Sequence, residues 1–285
     1  MLHVTPSAVS RQIALLEQNF GAPLFERHAL GMRLTAAGEV FARQARSTIR
    51  DFERLRSDLD DLQQLRRGNV RISCMEGTVS GLLYRAIREF ARDYPGITYE
   101  IEVGGSEVQV FALAREDFDL SIAFNPAPHQ EVTLEHVVRD PVCAIVHPSH
   151  PLARRRSVKL AELRGQRIAM LDQTFVTRTL LDAAAAAEGI TIPATLTLNH
   201  IGHAISFARQ RMGVSFVPRH IVQDDEEAGA LKRVPIEHPL LLNARTALCR
   251  HNSRPLTRPA QAFLAVLKRH FVALADPPKG RPRQR

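Results

Sequence analysis

From Gly68 onward, short apolar runs alternate with amphipathic stretches, and few folds accommodate that order. Residues 69–74, 97–103, 118–124, 166–171 and 192–198 read as strands, with 214–217 as a last one; 79–94, 108–115, 177–188 and 202–211 carry helical periodicity between them. Strand, helix, strand in sequence requires a crossover, so each set builds a mostly parallel sheet with helices on its faces. The pattern runs twice, which predicts two α/β lobes: lobe I from 68–142 and 246–275, lobe II from 143–245. Open α/β sheets bind ligands beyond the carboxyl ends of their strands, and two such lobes form a cleft there.

The turns entering the helices are the candidate walls of that cleft: Glu76, Gly77 and Thr78, then Ser106, Asn125, Thr174, Thr177, Gly202 and His203. Helix amino termini present free N–H groups and the positive end of a dipole, so a small organic anion is the natural guest. Glu76 opposes that guest unless Arg or His offsets it; otherwise it receives a ligand amine or caps Thr78 and its neighbours. Ordinary capping accounts equally well for any one of these turns taken singly.

The first 34 residues are of another kind. Thr5 stands where an N-cap belongs, and Pro6 follows at the first helical position, where its missing N–H costs nothing. Val9, Ile13, Leu16 and Phe20 recur at helical spacing and are expected to face a core. Ser7, Ser10, Arg11 and Ala14 then form the outer face with Thr5 at its start. Small side chains let a helix enter the major groove, hydroxyls and guanidinium reach phosphates or base edges, and alanine meets a thymine methyl. Behind it, Arg27 and Arg33 flank a short turn and are candidates for the adjoining phosphates. Residues 35–67 contain no proline, and Phe41, Ala45, Ile49, Phe52, Leu55, Leu59, Leu62 and Leu65 step by threes and fours. That is one long helix with a seam suited to a symmetric dimer, or to packing on its own domain.

Three ordered motifs carry a resemblance. Thr5-Pro6-Ser7-Ala8-Val9-Ser10-Arg11-Gln12-Ile13, then Pro23-Leu24-Phe25-Glu26-Arg27, then Leu34-Thr35-Ala36-Ala37-Gly38 resemble the amino-terminal region of LysR-type transcriptional regulators. His147-Pro148-Ser149-His150-Pro151-Leu152-Ala153 and Met212-Gly213-Val214-Ser215-Phe216-Val217-Pro218 resemble the effector domain of the same family, and the likeness runs to about Phe271. The resemblance implies a partial winged helix-turn-helix over 1–34, a dimerisation linker helix over 35–67 and a periplasmic-binding-protein-like effector domain over 68–275. It implies a ligand-responsive regulator of a small operon, with double-stranded promoter DNA, a small effector and a homodimer or tetramer as partners. Family members carry about two helices ahead of the segment that opens here at Leu2, so the resemblance also implies an amino-terminally truncated reading, either a start placed too far downstream, which is the expectation, or a real truncation. The competing reading is a solute-binding or dominant-negative dimerisation module without DNA binding. Arg211 departs from the family, many of whose members have glycine there.

Composition narrows the rest. The chain has 285 residues, 38 Lys and Arg against 30 Asp and Glu, and a net charge of +8, which favours anionic partners. Residues 276–285 are a basic, proline-containing tail expected to be disordered. Three well-separated cysteines, Cys74, Cys143 and Cys249, make no disulfide framework and point to a reducing compartment, the cytoplasm. No membrane-length apolar run is present. His147 with His150 and His200 with His203 share a spacing, but no further ligands complete a metal site. Without Gly-x-Ser-x-Gly, P-loop or dinucleotide fingerprint, neither an enzyme nor a cofactor is expected.

Overall fold

The computed structural model describes residues 5–28, 31–60 and 67–274. Leu62, Leu65 and the basic tail lie outside the described residues. The chain separates into two compact units, Met1–Arg56 and Ser57–Arg285.

In the first unit, α1 (Pro6–Phe20) ends at Gly21, whose φ of 65° is the left-handed conformation that stops a helix. β1 (Phe25–His28) and β2 (Gly31–Leu34) pair antiparallel, and α2 (Ala36–Asp60) follows. The Pro-Leu-Phe and Leu-Thr-x-Ala-Gly motifs are explained by how these pieces meet. Glu17 on α1 accepts the N–H of Leu24 (2.7 Å) and of Phe25 (3.2 Å). The Thr35 hydroxyl donates to Pro23 O (2.6 Å) and accepts from Gly38 N (3.0 Å), capping α2 and tying it to the strand in one step. A Cβ on Gly38 would lie 2.0 Å from Leu24 O, so only glycine fits.

Two expectations for α1 need correction. Thr5 occupies the N-cap position in extended conformation, but its hydroxyl lies 3.1 Å from Ser7 Oγ and caps no backbone N–H. Val9 and Phe20 do not face a core: they are 47% and 63% exposed, although Phe20 meets Phe41 of α2 edge-on with ring centroids 5.2 Å apart.

The second unit holds the two lobes. It begins with β3 (Gly68–Cys74), α3 (Glu76–Thr78), a π-helical turn (Val79–Leu83) and α4 (Tyr84–Asp93), with Met75 alone separating strand from helix. β4 (Ile97–Val103), α5 (Ser106–Ala114), β5 (Leu120–Phe124) and β6 (Val132–Arg139) complete the outward path through lobe I. The chain crosses at Asp140–Pro141 into β7 (Val142–Val146), β8 (Ala169–Leu171), α6 (Val176–Ala187), β9 (Leu196–Leu198), α7 (Ile201–Arg209), β10 (Ser215–Pro218), α8 (Gln223–Glu227), β11 (Lys232–Pro235) and α9 (Pro239–Leu242). It returns at Asn243–Ala244 to β12 (Arg245–His251) and α10 (Arg258–Val272).

Among the described residues the lobe I sheet has the order β4-β3-β5-β12-β6. It is mixed rather than mostly parallel: β3 runs parallel to β4 and β5, whereas the returning β12 runs antiparallel to both β5 and β6. Lobe II combines an antiparallel set, β10-β7-β11, with the short parallel pair β8–β9. Pro193, which has no N–H to give a ladder, keeps β9 to Leu196–Leu198 where the apolar run suggested seven residues. Val70, Ile72, Leu120, Ile122 and Leu248 of lobe I pack under Phe90, Phe263, Leu267 and Phe271, and a separate core in lobe II gathers Val142, Ala144, Met170, Leu181 and Phe216. Two cores joined by two short crossovers define a hinge.

Candidate functional site

The lobes enclose a cleft of about 620 Å³. Its walls come from the residues immediately after strand ends: Met75 and Glu76 after β3, Gly104 and Gly105 after β4, Phe124 at the end of β5, Asp172 after β8, Asn199 after β9 and Pro218 closing β10. This is the position that the topology of open α/β sheets assigns to a ligand.

Of the residues expected there, Glu76, Ser106, Thr174 and Thr177 line the cleft. Gly77, Thr78, Asn125, Gly202 and His203 do not. Gly77 faces Ile221, whose Cγ2 would lie 2.6 Å from any added Cβ. Thr78 is buried, 3.2 Å from His220 Nε2. Asn125 adopts a left-handed φ of 46° so that its N–H can donate to Arg245 O at 2.6 Å. His203 is exposed on α7, its ring against that of His200 at 5.2 Å. Glu107, Asp172, Asn199 and His200 also line the cleft and were not among the expected residues; only their place just after strand ends or at a helix start could have marked them.

Glu76 has a different part from any foreseen. Its carboxylate reaches across from lobe I and accepts the N–H of Ile201 (2.9 Å) and of Gly202 (3.2 Å), the first turn of α7 in lobe II. His200 Nδ1 lies 3.5 Å from the same carboxylate. The anion expected at this helix terminus is therefore an internal one. Asp172 is engaged similarly, accepting the Thr174 N–H (2.9 Å) and hydroxyl (2.5 Å). Those bonds, helped by Arg178, hold its carboxyl below the usual carboxylate range, so it is ionised at neutral pH. The Ser106 hydroxyl accepts the Phe124 N–H at 2.9 Å. Thr177 is buried, lines the cleft, and its hydroxyl has no hydrogen-bond partner among the described residues.

Behind the cleft, the hinge holds a buried polar chain that the sequence did not announce. Asp140, on the first crossover, donates its N–H to Ala244 O on the second (2.8 Å). Its carboxylate accepts the Thr246 hydroxyl (2.6 Å), the His220 N–H (3.1 Å) and His220 Nδ1–H (2.6 Å). Burial alone would raise the Asp140 pKa; the charge and hydrogen bonds of His220, with the Thr246 hydroxyl, outweigh it and keep the carboxyl below its ordinary range.

Histidines 147 and 150 serve the backbone: His150 Nδ1 accepts the Leu152 N–H at 3.2 Å, and His147 Nδ1 the Ser149 N–H at 3.1 Å. Burial pushes the thiols of Cys74, Cys143 and Cys249 up to about 12, so none is a thiolate at neutral pH.

In the first unit, Thr5, Ser7, Ser10, Arg11 and Ala14 are exposed along α1, and Ser7, Ala8, Arg11, Gln12 and Leu15 border a shallow surface concavity. Arg27 and Arg33 are exposed on the hairpin but sit on neighbouring rungs, Arg27 opposite Met32 and Arg33 opposite Glu26. Alternation therefore sends them to opposite faces, and they cannot grip one phosphate strand together.

Comparison with known proteins agrees with this division. Residues 63–272 match the family described as "LysR substrate binding domain", and residues 1–39 that described as "Bacterial regulatory helix-turn-helix protein, lysR family". The transcriptional dual regulator GltC of Bacillus subtilis is 25% identical over 270 residues, spanning 94% of this chain and 89% of GltC. Among solved structures, a single-site variant of full-length OxyR from Pseudomonas aeruginosa aligns with a TM-score of 0.70 at 18% identity, over 99% of this chain and 90% of that one. The regulatory domain of Synechocystis CcmR in complex with 2-PG aligns with a TM-score of 0.64 at 19% identity, over 74% of this chain and all of that domain.

Proposed function

Because the chain belongs to the LysR family of helix-turn-helix regulators, we propose that it controls transcription from the cytoplasm by binding promoter DNA through α1 and a small molecule in the cleft between its lobes. The observation that carries this reading is the cleft itself: about 620 Å³, walled at strand ends by two lobes linked by two short crossovers, on a chain that also carries an exposed polar helix. Ser7, Ser10 and Arg11, with Thr5 and Ala14, are the residues assigned to the major groove, and Arg27 or Arg33 to flanking phosphates. Ser106, Thr174 and Thr177 are assigned to the effector. The seam of α2 is assigned to a homodimer, which sets two α1 helices about a two-fold axis to read a palindromic site.

A ligand alters DNA binding only if it favours one lobe arrangement over another. The Glu76–α7 bonds and the Arg85–Asp224 ion pair (2.7 Å) both cross between the lobes and are contacts that such a ligand would reinforce or break. A thermal-shift screen of a metabolite panel against the chain and its Thr177→Val variant tests the cleft assignment. Compounds that stabilise the chain should stabilise the variant less; equal shifts in both would remove Thr177 from the site.

A further inference from the structure

Resting on the reading of the chain as a DNA-binding regulator, we propose that lobe II carries a second nucleic-acid contact: the connection between β7 and β8 presents a rigid basic face for the phosphate backbone of DNA. Six of the fourteen residues from Arg154 to Arg167 are cations, namely Arg154, Arg155, Arg156, Lys159, Arg164 and Arg167, against one carboxylate, Glu162. All six are exposed. By contrast, α1 contains a single cation, Arg11. Base reading and phosphate holding are separate tasks, and the second needs charge more than shape.

The face is built on fixed backbone. Leu152, Val158, Leu160 and Leu163 of the same connection are buried in the lobe II core. Val158 donates its N–H to Pro235 O (2.9 Å) and accepts the Glu237 N–H (2.8 Å), which ties the segment to the end of β11. With the backbone already held, a partner has only the long side chains to order, and that lowers the entropic cost of binding.

Much of the charge is left for a partner. Arg155 pairs with Glu162, which also accepts the Lys159 N–H at 2.8 Å, and Glu237 accepts the Ser157 hydroxyl. Arg154, Arg156, Arg164 and Arg167 have no ion pair or side-chain hydrogen bond among the described residues. Arg154, Arg155, Arg156 and Lys159 border one open concavity of about 470 Å³, with Ser157, Glu162 and Glu237 completing its rim. Ser157 is half-buried and every other residue of that rim is exposed, so no buried donor converges on a lone small anion. An open row of cations suits a polyanion whose charges repeat, and DNA carries one charge every ~1.7 Å of its axis.

The test is fluorescence anisotropy of the full chain on the DNA upstream of its gene and on random DNA, each across a salt titration. Arg154→Gln with Arg156→Gln should lower the slope of log affinity against log salt by about two on both DNAs, since each phosphate released removes about 0.9. The preference for the upstream DNA should stay unchanged, because phosphate contacts carry no sequence information. Arg154→Lys with Arg156→Lys should keep the slope of the chain, which separates charge from folding. A slope unmoved by the glutamine pair, with Arg11→Ala still weakening binding, overturns the second contact and leaves the regulator reading standing. Failure of the unsubstituted chain to bind either DNA overturns both. An unfolding midpoint that inorganic phosphate raises in the chain but not in the glutamine pair, with the DNA slope unmoved, makes this a free-anion site and ends the DNA assignment.

Discussion

Arg211 and Gly213 stand two residues apart at the end of α7 and impose opposite demands on a side chain. Arg211 adopts a left-handed φ of 61°, a conformation that costs most residues about 1 kcal/mol and glycine almost nothing. Arg211→Gly is expected to raise stability by about 0.5–1 kcal/mol in urea denaturation; the one contact at stake is a long Nε–His147 Nε2 approach of 3.4 Å. Gly213 has a φ of 150° and would place a Cβ 2.1 Å from Arg167 O, so Gly213→Ala should destabilise by at least about 1–3 kcal/mol in the same assay. Asp140 gives a prediction with a sign in pH. Its folded pKa lies below the unfolded value of about 3.9, so its stabilisation is present above that pH and disappears as the pH falls through the folded value. Asp140→Ala should cost about 3–5 kcal/mol at pH 7, since it leaves buried partners without a counterpart, and should flatten the fall in urea midpoint on acidification. The Asp140 network was not legible beforehand: Asp140, Thr246, His220 and Thr78 lie far apart in the chain, and the fold at the two crossovers brings them together.

Elements were easier to read than their surroundings. The start of α1 was marked by Thr-Pro and the end of α6 by Gly189, because these signals act locally through φ and missing donors. The strands of lobe I at β3, β4 and β5 were likewise visible as apolar runs. β12 changed the sheet from mostly parallel to mixed, and no local signal states whether a strand returning from another lobe joins parallel or antiparallel. The seam of α2 was legible too. Ile49 and Phe52 are 59% and 69% exposed, an apolar stripe that a dimer would cover. Phe52→Asp is expected to shift the chain toward monomer in sedimentation velocity with little change in the unfolding midpoint of the lobes. On α1, Arg11→Ala should weaken operator binding by about 1–3 kcal/mol with relaxed specificity if the guanidinium reads a base, or lower the salt dependence by about one phosphate if it does not.

At the scale of the molecule, the sequence located a cleft but not the character of its walls. Strand ends are local features, so Glu76, Ser106, Thr174 and Thr177 could be placed around one opening, although Gly77 and Thr78 of the same first turn face away from it. Which helix termini remain free is a property of the folded pair of lobes: Glu76 bridges 125 residues to cap α7, whereas α5 and α6 have no side-chain cap. The central claim is that this chain recognises a specific DNA site. Its most direct test is fluorescence anisotropy of the chain, as its gene encodes it, on the DNA upstream of that gene and on random DNA across a salt titration. The account predicts a log-linear fall of affinity with salt on both DNAs and a preference of at least about 10³ for the upstream site. Equal affinity for the two DNAs, or binding indifferent to salt, would contradict it.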